Sequence, residues 1–189
     1  MTYIAVLGPD GSGKTTIIRM LEEELKNEKF DNVLTKHLRP LCLPRLTDLI
    51  SPSKKDEPNL NPHGKQPQNF LLSFFRLIWI FMDYQVGILF YKWKYFSEYH
   101  ILIYDRYVYD LVIDPKRFRL KLPKIILKLF VYLVPRPNII IVMHLPAEKI
   151  YQRSKELPLE EIKRQSVVSQ LMFEGADNCF FIKSTEEIE

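Results

Sequence analysis

Five short, strongly apolar segments alternate along the chain with longer segments in which apolar and charged residues recur at helical spacing. Continuous runs of branched and aromatic residues are typical of strands that are buried on both faces of a parallel sheet. The five strands are predicted at residues 3–7, 32–37, 100–104, 138–145 and 179–183. Because strands and helices alternate, the chain predicts an α/β fold of three layers, in which helices flank a parallel five-stranded sheet.

The helical segments differ in how their apolar residues are placed. Residues 16–27 carry apolar residues on one face, with charges between them, which predicts an amphipathic helix after the first strand. Residues 147–156 and 159–173 are also predicted to be helical, separated by a break at Leu157-Pro158. These segments supply the layers on either side of the predicted sheet.

Residues 69–99 are apolar and aromatic almost throughout, so a membrane span has to be weighed against a core helix. Four charged residues interrupt the run: Arg76, Asp83, Lys92 and Lys94. No uncharged stretch reaches the roughly 18 residues that a span requires. We therefore predict a mostly buried helix with a bend near Gly87, and no transmembrane segment.

Residues 116–133 combine several lysines and arginines with a run of apolar residues, which predicts a basic amphipathic helix. The favoured interpretation is a solvated lysine face above a stripe of core residues. The alternative is contact with a membrane surface. Peripheral membrane contact therefore stays open.

Length and composition are those of one soluble domain. The chain has 189 residues, of which 47% are hydrophobic and 26% charged, and this predicts a single domain over residues 1–189. Residues 44–50 are predicted to form a short helix. The proline-rich residues 51–68 carry almost no apolar side chain and are predicted to form a flexible loop.

Charge and cysteine usage narrow the possible partners and the compartment. The net charge of +4 is too small to indicate a nucleic-acid partner. Cys42 and Cys179 match no metal or redox motif, which favours reduced thiols in the cytoplasm. Because the chain enters a strand at once, we expect no signal peptide and a cytoplasmic location. The sequence leaves open whether the chain forms a homodimer.

The segment Gly8–Thr15 fits the phosphate-binding pattern G-x-x-x-x-G-K-[S/T] without a mismatch, and it lies between a predicted strand and a predicted helix. The glycines let several backbone N–H groups point at one anion, and the helix start adds its positive dipole end. ATP and Mg²⁺ are the cofactors that such a loop indicates, with Lys14 on the terminal phosphates and the Thr15 hydroxyl on the metal. The alternative is a glycine-rich turn that binds nothing. The candidate cofactor-binding residues are Gly8, Asp10, Gly11, Ser12, Gly13, Lys14, Thr15 and Thr16.

Asp105 and Arg106 follow the third predicted strand. In a parallel α/β sheet the carboxyl ends of the strands share one edge, so we expect both residues, with Arg39 after the second strand, to lie near the glycine loop. The Asp105 carboxylate can hold Mg²⁺ or accept a proton, and the Arg106 guanidinium suits a phosphate. The alternative is that Arg106 forms a salt bridge with a carboxylate at the strand end.

Gly8–Thr16 together with Asp105-Arg106-Tyr107 resembles the thymidylate kinase family of nucleoside monophosphate kinases. The resemblance implies an ATP-dependent phosphotransferase that moves the γ-phosphoryl of Mg-ATP to a small phosphorylated acceptor such as dTMP. It gives Arg106 and Arg39 to the acceptor phosphate and places Asp10 near the acceptor's sugar. Tyr107 completes the triplet on the acceptor side. Lys14, Asp105 and Arg106 are the implied catalytic residues of this core.

Members of that family carry a catalytic arginine either in the glycine loop or in a lid. The loop position is Gly11 here, so the resemblance implies a lid, at residues 151–165, with Arg153 as the catalytic candidate. Further candidates are Lys155, Lys163 and Arg164. The alternative is an ordinary charged helix face, on which Glu156, Glu160 and Glu161 pair with these bases.

The acceptor side departs from the family pattern in three places. Leu7 replaces a glutamate, Arg39-Pro40 lack the glutamate between them, and Asp83-Tyr84-Gln85 replace an Asp-Arg pair. The stretch after Asp105 also resembles divergent thymidylate kinase-like proteins associated with cell-surface polysaccharide genes. Asp110 and Asp114 could there bind acceptor hydroxyls, and Arg117 and Arg119 a phosphate, although helix capping and surface pairing explain them equally well.

Two alternative functions follow from these departures. One keeps the chemistry but takes a sugar, a sugar phosphate or a lipid-linked group as the acceptor. The other is a regulatory protein that binds a nucleoside triphosphate without turnover.

Overall fold

The computed structural model describes residues 1–30, 32–40, 42–44, 69–95 and 100–183. The chain divides into two compact units. The first consists of Met1–Leu38, Tyr95–Tyr107 and Arg136–Glu189, and the second of Arg39–Lys94 and Val108–Pro135. The loop predicted at 51–68 lies outside the described residues, as does nearly all of the short helix predicted at 44–50.

The first unit contains a five-stranded parallel sheet with the strand order β2-β3-β1-β4-β5. The strands are β1 (Thr2–Leu7), β2 (Val33–His37), β3 (Ile101–Asp105), β4 (Ile139–His144) and β5 (Cys179–Lys183). The helices of the chain are α1 (Lys14–Asn27), α2 (Phe70–Lys94), α3 (Asp110–Ile113), α4 (Lys124–Leu133), α5 (Ala147–Arg153) and α6 (Leu159–Phe173). The predicted fold class, a parallel five-stranded sheet flanked by helices, is confirmed, and most predicted strand ends are displaced by a single residue.

The core of the first unit explains why the strands read as continuous apolar runs. One cluster joins Ile4 and Val6 of β1 to Ile18 of α1 and to apolar residues of β3 and β4. The alternate residues of β1, Tyr3, Ala5 and Leu7, are also buried. Both faces of the central strand are therefore covered, as the sequence pattern indicates.

A second cluster ties α5 to α6 in the same unit. Leu145, Ile150, Leu157 and Ile162 are each at most 4% exposed, and they pack together with Ala147. The segment predicted as a lid, residues 151–165, thus consists of the end of α5, a turn anchored by Leu157, and the first turns of α6.

Helix α2 dominates the second unit and continues without interruption through Gly87. The bend expected near Gly87 stays a prediction, and the structure shows instead how closely this glycine is packed. A Cβ atom added to Gly87 would lie 2.2 Å from the Cβ atom of Pro40. Gly87 therefore permits close approach of the chain at Pro40, which no side chain larger than hydrogen would allow.

The prediction that α2 is mostly buried is wrong. A stripe at helical spacing is buried, from Ser73 to Tyr91, but many other apolar side chains are exposed. Those exposed by more than a third are Phe70, Leu71, Leu72, Phe75, Met82, Val86, Leu89, Phe90 and Trp93. Among the described residues α2 is the one helix that is long and apolar enough to cross a membrane, although only 39% of its most apolar window is buried and core helices meet the same criterion.

The basic amphipathic helix predicted over 116–133 is shorter than expected. Residues 115–119 form turns, and the helix begins only at Lys124, directly after Pro123. Its core contact is also narrower than predicted, because Leu127 alone is fully buried while Ile125, Leu129, Tyr132 and Leu133 are exposed. The ring of Phe130 packs edge-on against Phe74 and Phe81 of α2, with ring centroids 6.4 and 5.3 Å apart.

Candidate functional site

The loop between β1 and α1 adopts a conformation that requires its glycines. Gly8, Gly11 and Gly13 have φ angles of 150°, 84° and 90°, in the region that residues with a side chain rarely occupy. A Cβ atom on Gly8 would come within 2.7 Å of the Ser12 hydroxyl oxygen and 2.9 Å of the Met143 Cβ atom. The local sequence therefore fixes a tight loop that leads directly into α1 at Lys14.

This loop forms one wall of a cavity of about 500 Å³ within the first unit. The residues that line the cavity are Asp10, Gly11, Gly13, Lys14, Thr15, Thr16, His37, Asp105 and Arg153. They come from the glycine loop, the start of α1, the carboxyl ends of β2 and β3, and the end of α5. The predicted convergence at the carboxyl edge of the sheet is present for the glycine loop and Asp105.

Two buried cations meet at one carboxylate in the loop. Lys14 is 6% exposed; its Nζ atom donates a hydrogen bond to the Pro9 carbonyl at 2.8 Å and lies 3.5 Å from Asp10 Oδ1. Arg106 is 2% exposed, and its Nη2 atom pairs with the same Asp10 oxygen. The salt bridge with a carboxylate, given above as the alternative for Arg106, is therefore present, and Asp10 is the carboxylate. The two cations lie beside the backbone N–H groups of the loop, a setting that suits phosphate oxygens.

The backbone holds Arg106 in an unusual conformation. Its φ angle is 73°, which is uncommon for a residue with a side chain. Its N–H donates to the Val6 carbonyl of β1 at 2.9 Å, so the residue is tied to the strand that carries the glycine loop. Such a conformation at the end of a strand is typical of residues positioned for function.

Two buried oxygen atoms fit the implied cofactors. The Ser12 hydroxyl and Asp105 Oδ1 are buried and have no hydrogen-bond partner within the described part of the chain. A hydroxyl in a phosphate-binding loop and a free carboxylate oxygen in the same cavity as Thr15 suit phosphate and Mg²⁺, respectively. The described residues contain no group of three acidic, histidine or cysteine side chains that could hold a metal by themselves. Mg²⁺ bound through one or two protein oxygens and nucleotide phosphates needs no such group.

His37 belongs to this cavity, although sequence reasoning missed it. It ends β2, pairs in register with Asp105 of β3, and its Nδ1 atom lies 3.0 Å from Asp105 Oδ2. Burial by itself would raise the pKa of the Asp105 carboxyl, but the hydrogen bond with His37 and the charges of Lys14, His37 and Arg106 together hold that pKa below its ordinary value. A polar residue at the carboxyl end of a strand adjacent to β3 was the signal that could have found it.

The end of α5 closes over the glycine loop. A Cβ atom on Gly11 would lie 2.9 Å from the Cβ atom of Ser154 and 3.4 Å from the Ile150 carbonyl oxygen. A side chain at position 11 would therefore collide with the segment that carries Arg153. Position 11 therefore requires glycine. Arg153, at the end of α5, lines the same cavity as the glycine loop.

The other basic candidates of the lid are placed differently. Lys163 Nζ lies 3.1 Å from Glu148 Oε1, and Arg164 forms a two-pronged pair with Glu161 at 3.0 and 2.6 Å. The alternative of a charged helix face that pairs its own bases applies to Arg164, whereas Lys163 pairs with a carboxylate of α5. Lys155 is exposed and does not line the cavity. Arg153 is the basic lid residue that does.

Comparisons with known proteins agree with this architecture. No protein-family model matches the chain, and no curated protein matches it. Among solved structures, the chain is similar to the thymidylate kinase of Ehrlichia chaffeensis, with a TM-score of 0.57, 16% sequence identity, and coverage of 97% of this chain and 90% of that chain. The fold is thymidylate kinase-like. At this level of identity the similarity establishes the fold alone.

Within this thymidylate kinase-like fold, the candidates on the acceptor side are less uniformly placed. Tyr107 is 1% exposed, packs with its ring centroid 5.0 Å from that of Tyr104, and does not line the cavity. Arg39 begins the second unit, where its Nε atom lies 3.7 Å from Asp83 Oδ2. Asp83 is fully buried and also accepts a hydrogen bond from the Leu43 N–H at 2.8 Å. Asp83 thus links Arg39 and Leu43 to α2.

Asp110 and Asp114 are both 1% exposed in the second unit. Asp114 accepts hydrogen bonds from the N–H and the Nε atom of Arg117, each at 3.3 Å. Asp114 and Arg117 therefore pair with each other. This agrees with local pairing, the alternative to a role in binding the acceptor.

Proposed function

We propose that the protein is an ATP-dependent kinase that transfers the γ-phosphoryl group of Mg-ATP to a small phosphorylated acceptor, with dTMP as the simplest candidate. The observation that carries this proposal is the meeting of Lys14 and Arg106 at one oxygen of Asp10 beside the glycine-loop cavity. The thymidylate kinase-like fold supports the coarser statement, a P-loop nucleotide kinase-like protein.

The glycine loop would hold the nucleotide phosphates. The backbone N–H groups between Gly8 and Thr15, the Ser12 hydroxyl and the Lys14 ammonium group can surround phosphate oxygens in a buried, positively charged setting. Thr15 and Asp105 would hold Mg²⁺, since both residues line the cavity and both carry side-chain oxygens. The bound metal would neutralise charge on the phosphates.

Two arginines would stabilise the transferred group. Arg106 is fully desolvated, and its planar guanidinium can bind two phosphate oxygens at once. Arg153, at the end of α5, lines the glycine-loop cavity and can bring a second positive charge there, whereas Arg106 would act through its contact with Asp10 beside that cavity. Positive groups aimed at the transferring phosphoryl group are the main contribution of protein side chains in this reaction class.

The identity of the acceptor separates the proposal from its alternative. Asp83 of α2 contacts Arg39 and accepts a hydrogen bond from the Leu43 N–H, so its carboxylate has a structural role. The thymidylate kinase family usually carries an Asp-Arg pair at this place. This favours weighing a sugar, a sugar phosphate or a lipid-linked acceptor beside dTMP. The reduced state of Cys42 and Cys179 is compatible with the cytoplasm, where Mg-ATP and such acceptors are available.

The test is ADP release with Mg-ATP and a panel of acceptors, beginning with dTMP and dUMP. Lys14→Ala should lower ADP release by about a thousandfold or more, because it removes the charge on the terminal phosphates. Lys26→Ala is the matched control, since Lys26 lies exposed in the last turn of the same helix. Turnover that survives Lys14→Ala would contradict the assigned site. A chain that binds ATP but releases no ADP with any acceptor would favour the regulatory alternative.

A further inference from the structure

Helix α4 turns an apolar and basic face to solvent. This outward face carries three large apolar or aromatic side chains and two lysines, all exposed and at helical spacing: Ile125, Leu129, Tyr132, Lys124 and Lys128. The opposite face is fixed in the second unit, because Leu127 is fully buried and the Phe130 ring packs against α2. The helix thus has one face in the core and one that exposes apolar side chains flanked by lysines.

Helix α2 adds an uncharged stripe beside this face. Six of its exposed apolar residues recur at helical spacing within one narrow sector of the helix: Leu71, Phe75, Met82, Val86, Leu89 and Trp93. One flank of the stripe is the side of α2 that contacts α4, where Gln85 donates to the Leu133 carbonyl at 2.9 Å. The other flank is the side where Trp79 donates from Nε1 to the Pro44 carbonyl at 3.0 Å. We call this stripe together with the outward face of α4 the α2–α4 surface.

The charge around this surface has one sign. Between Pro115 and Pro135 the chain carries six basic residues and no acidic residue: Lys116, Arg117, Arg119, Lys121, Lys124 and Lys128. Asp83 is the one acidic residue of α2 and α4, and it is fully buried near Arg39. The exposed residues of the two helices therefore contribute positive charge and no negative charge.

This pattern favours a lipid surface over a protein partner. Lysines beside exposed apolar side chains are typical of helices that lie in the bilayer interface, where the apolar groups enter the lipid and the ammonium groups reach anionic headgroups. A second copy that docked symmetrically by the outward face of α4 would bring the lysines of both copies together. An orientation of α2 across the bilayer would require the stripe from Ser73 to Tyr91, which is buried in the second unit, to leave its core.

We propose that the α2–α4 surface binds the surface of a bilayer that contains anionic lipids. Helix α4 would lie in the plane of the interface, with Ile125 and Leu129 among the acyl chains and Lys124 and Lys128 at the headgroup phosphates. The stripe of α2 would lie beside it, with Trp93 at the depth that tryptophan rings prefer. The surface lies entirely within the second unit, and the proposal does not depend on the proposed kinase activity.

The experiment is co-sedimentation of the full chain, without nucleotide, with vesicles of phosphatidylcholine alone or with phosphatidylglycerol added. We expect at least about tenfold stronger binding to the anionic vesicles, weakened by about 0.5 M salt because the charges are screened. Lys124→Gln combined with Lys128→Gln should lower that affinity about tenfold or more, since two charges leave the interface. The matched control is Lys26→Gln combined with Lys29→Gln, which removes the same charge from exposed positions of the first unit.

A second pair of substitutions tests the apolar contribution. Ile125→Ser combined with Leu129→Ser should weaken binding to anionic vesicles at least about tenfold, because two large side chains no longer enter the lipid. Val167→Ser combined with Leu171→Ser is the matched control, since these side chains of α6 in the first unit are similarly exposed. If the serine variant of α4 fails to fold, as its melting temperature would show, the glutamine variant decides the test.

Tryptophan fluorescence tests the contribution of α2. The chain has two tryptophans, so Trp79→Phe leaves Trp93, which is 79% exposed, as the one that emits. We expect its emission to shift to shorter wavelength with anionic vesicles and to be quenched by brominated lipid. An emission that stays unchanged while the chain binds vesicles would overturn the part of the proposal that concerns α2.

Absence of binding to anionic vesicles, or equal binding by the parent chain and both α4 variants, would overturn the proposal. Equal affinity for vesicles of phosphatidylcholine alone would overturn the role assigned to the lysines. Analytical ultracentrifugation without vesicles tests the competing occupant. A dimer that dissociates in the serine variant of α4, in a chain that binds no vesicles, would assign the α2–α4 surface to a second copy instead.

Discussion

His37 and Asp105 are joined across neighbouring parallel strands, with His37 Nδ1 3.0 Å from Asp105 Oδ2. The contact engages one carboxylate oxygen and leaves Oδ1 buried without a partner among the described residues. A carboxylate held in this way presents a fixed oxygen to the cavity. We therefore expect His37 to hold Asp105, the proposed metal ligand, in position and not to contact the phosphates itself.

Replacing His37 should disturb the Mg²⁺ dependence of the proposed kinase activity. In His37→Ala the carboxylate can rotate, so we expect kcat to fall about tenfold or more and the Mg²⁺ concentration for half-maximal activity to rise. The KM for ATP should change less, because Lys14 and the glycine loop remain. His37→Asn, which keeps a nitrogen donor near the position of Nδ1, should recover part of the loss.

His144→Ala is the control for this substitution, since His144 ends β4 and does not line the cavity. Steady-state kinetics over a range of Mg²⁺ concentrations make the measurement. If His37→Ala and His144→Ala show the same Mg²⁺ dependence as the parent chain, His37 does not position Asp105.

The sequence predicted those features that depend on neighbours in the chain. The strands could be located because both faces of β1 are buried, and the glycine loop because its residues are contiguous. The contact of His37 with Asp105 could not be predicted, because it depends on the register between β2 and β3. The exposure of Leu89 and Trp93 on α2 could not be predicted either, since an apolar run does not reveal which of its faces is covered.

In the lid segment, residues 151–165, some features follow from neighbouring residues in the chain and others depend on the tertiary fold. The break at Leu157-Pro158 and the helix after it could be predicted from proline and from periodicity, and α6 has the predicted bounds. The contact of Gly11 with Ser154 could not, because it joins segments far apart in the chain. Roles for Lys14, Asp105, Arg106 and Arg153 stay predictions that kinetics must test.

Gly11→Ala should destabilise the chain more than a matched substitution at Gly175. Both glycines have left-handed φ angles, 84° and 77°, but a Cβ atom meets Ser154 at 2.9 Å in the first case and nothing within 4 Å in the second. We expect a loss of about 1 kcal/mol for Gly175→Ala from backbone strain alone. Gly11→Ala should cost about 1–3 kcal/mol more because the end of α5 must move.

Urea denaturation of the two variants measures these free energies of unfolding. Equal losses of unfolding free energy in the two variants would show that the segment around Ser154 moves at little cost to make room for a side chain at position 11. A larger loss in Gly11→Ala should be accompanied by reduced ADP release, because the same displacement moves Arg153.

Gly87→Ala should reverse the usual effect of this substitution within a helix. Replacing an interior helical glycine by alanine normally stabilises by about 0.5–1 kcal/mol. Here the new Cβ atom would lie 2.2 Å from the Cβ atom of the buried Pro40, so we expect a net loss of about 1–3 kcal/mol. Val86→Ala is the control in the same turn, where a side chain 38% exposed should matter by less than about 1 kcal/mol. A stabilised Gly87→Ala variant, measured by urea denaturation, would show that Pro40 does not approach α2 this closely.

Tyr3→Phe should stabilise the chain, and increasingly so at alkaline pH. The Tyr3 hydroxyl is buried without a hydrogen-bond partner among the described residues, and burial raises its pKa. The neutral phenol is therefore favoured in the folded state, and its stabilising effect is complete below the unfolded pKa of about 10. That contribution is lost as the pH rises from about 10 through the higher folded pKa, because the phenol of the unfolded chain ionises while the buried phenol is still neutral.

Phenylalanine keeps the ring and removes both the unpaired hydroxyl and its ionisation. We expect a gain of about 0.5–1.5 kcal/mol at pH 7 and a larger gain relative to the parent chain above about pH 10. Tyr151→Phe is the control, because the Tyr151 side chain is 39% exposed. Free energies of unfolding measured from pH 7 to 11 decide the matter, since a Tyr3→Phe advantage that stays constant with pH would mean that burial does not raise the pKa of Tyr3.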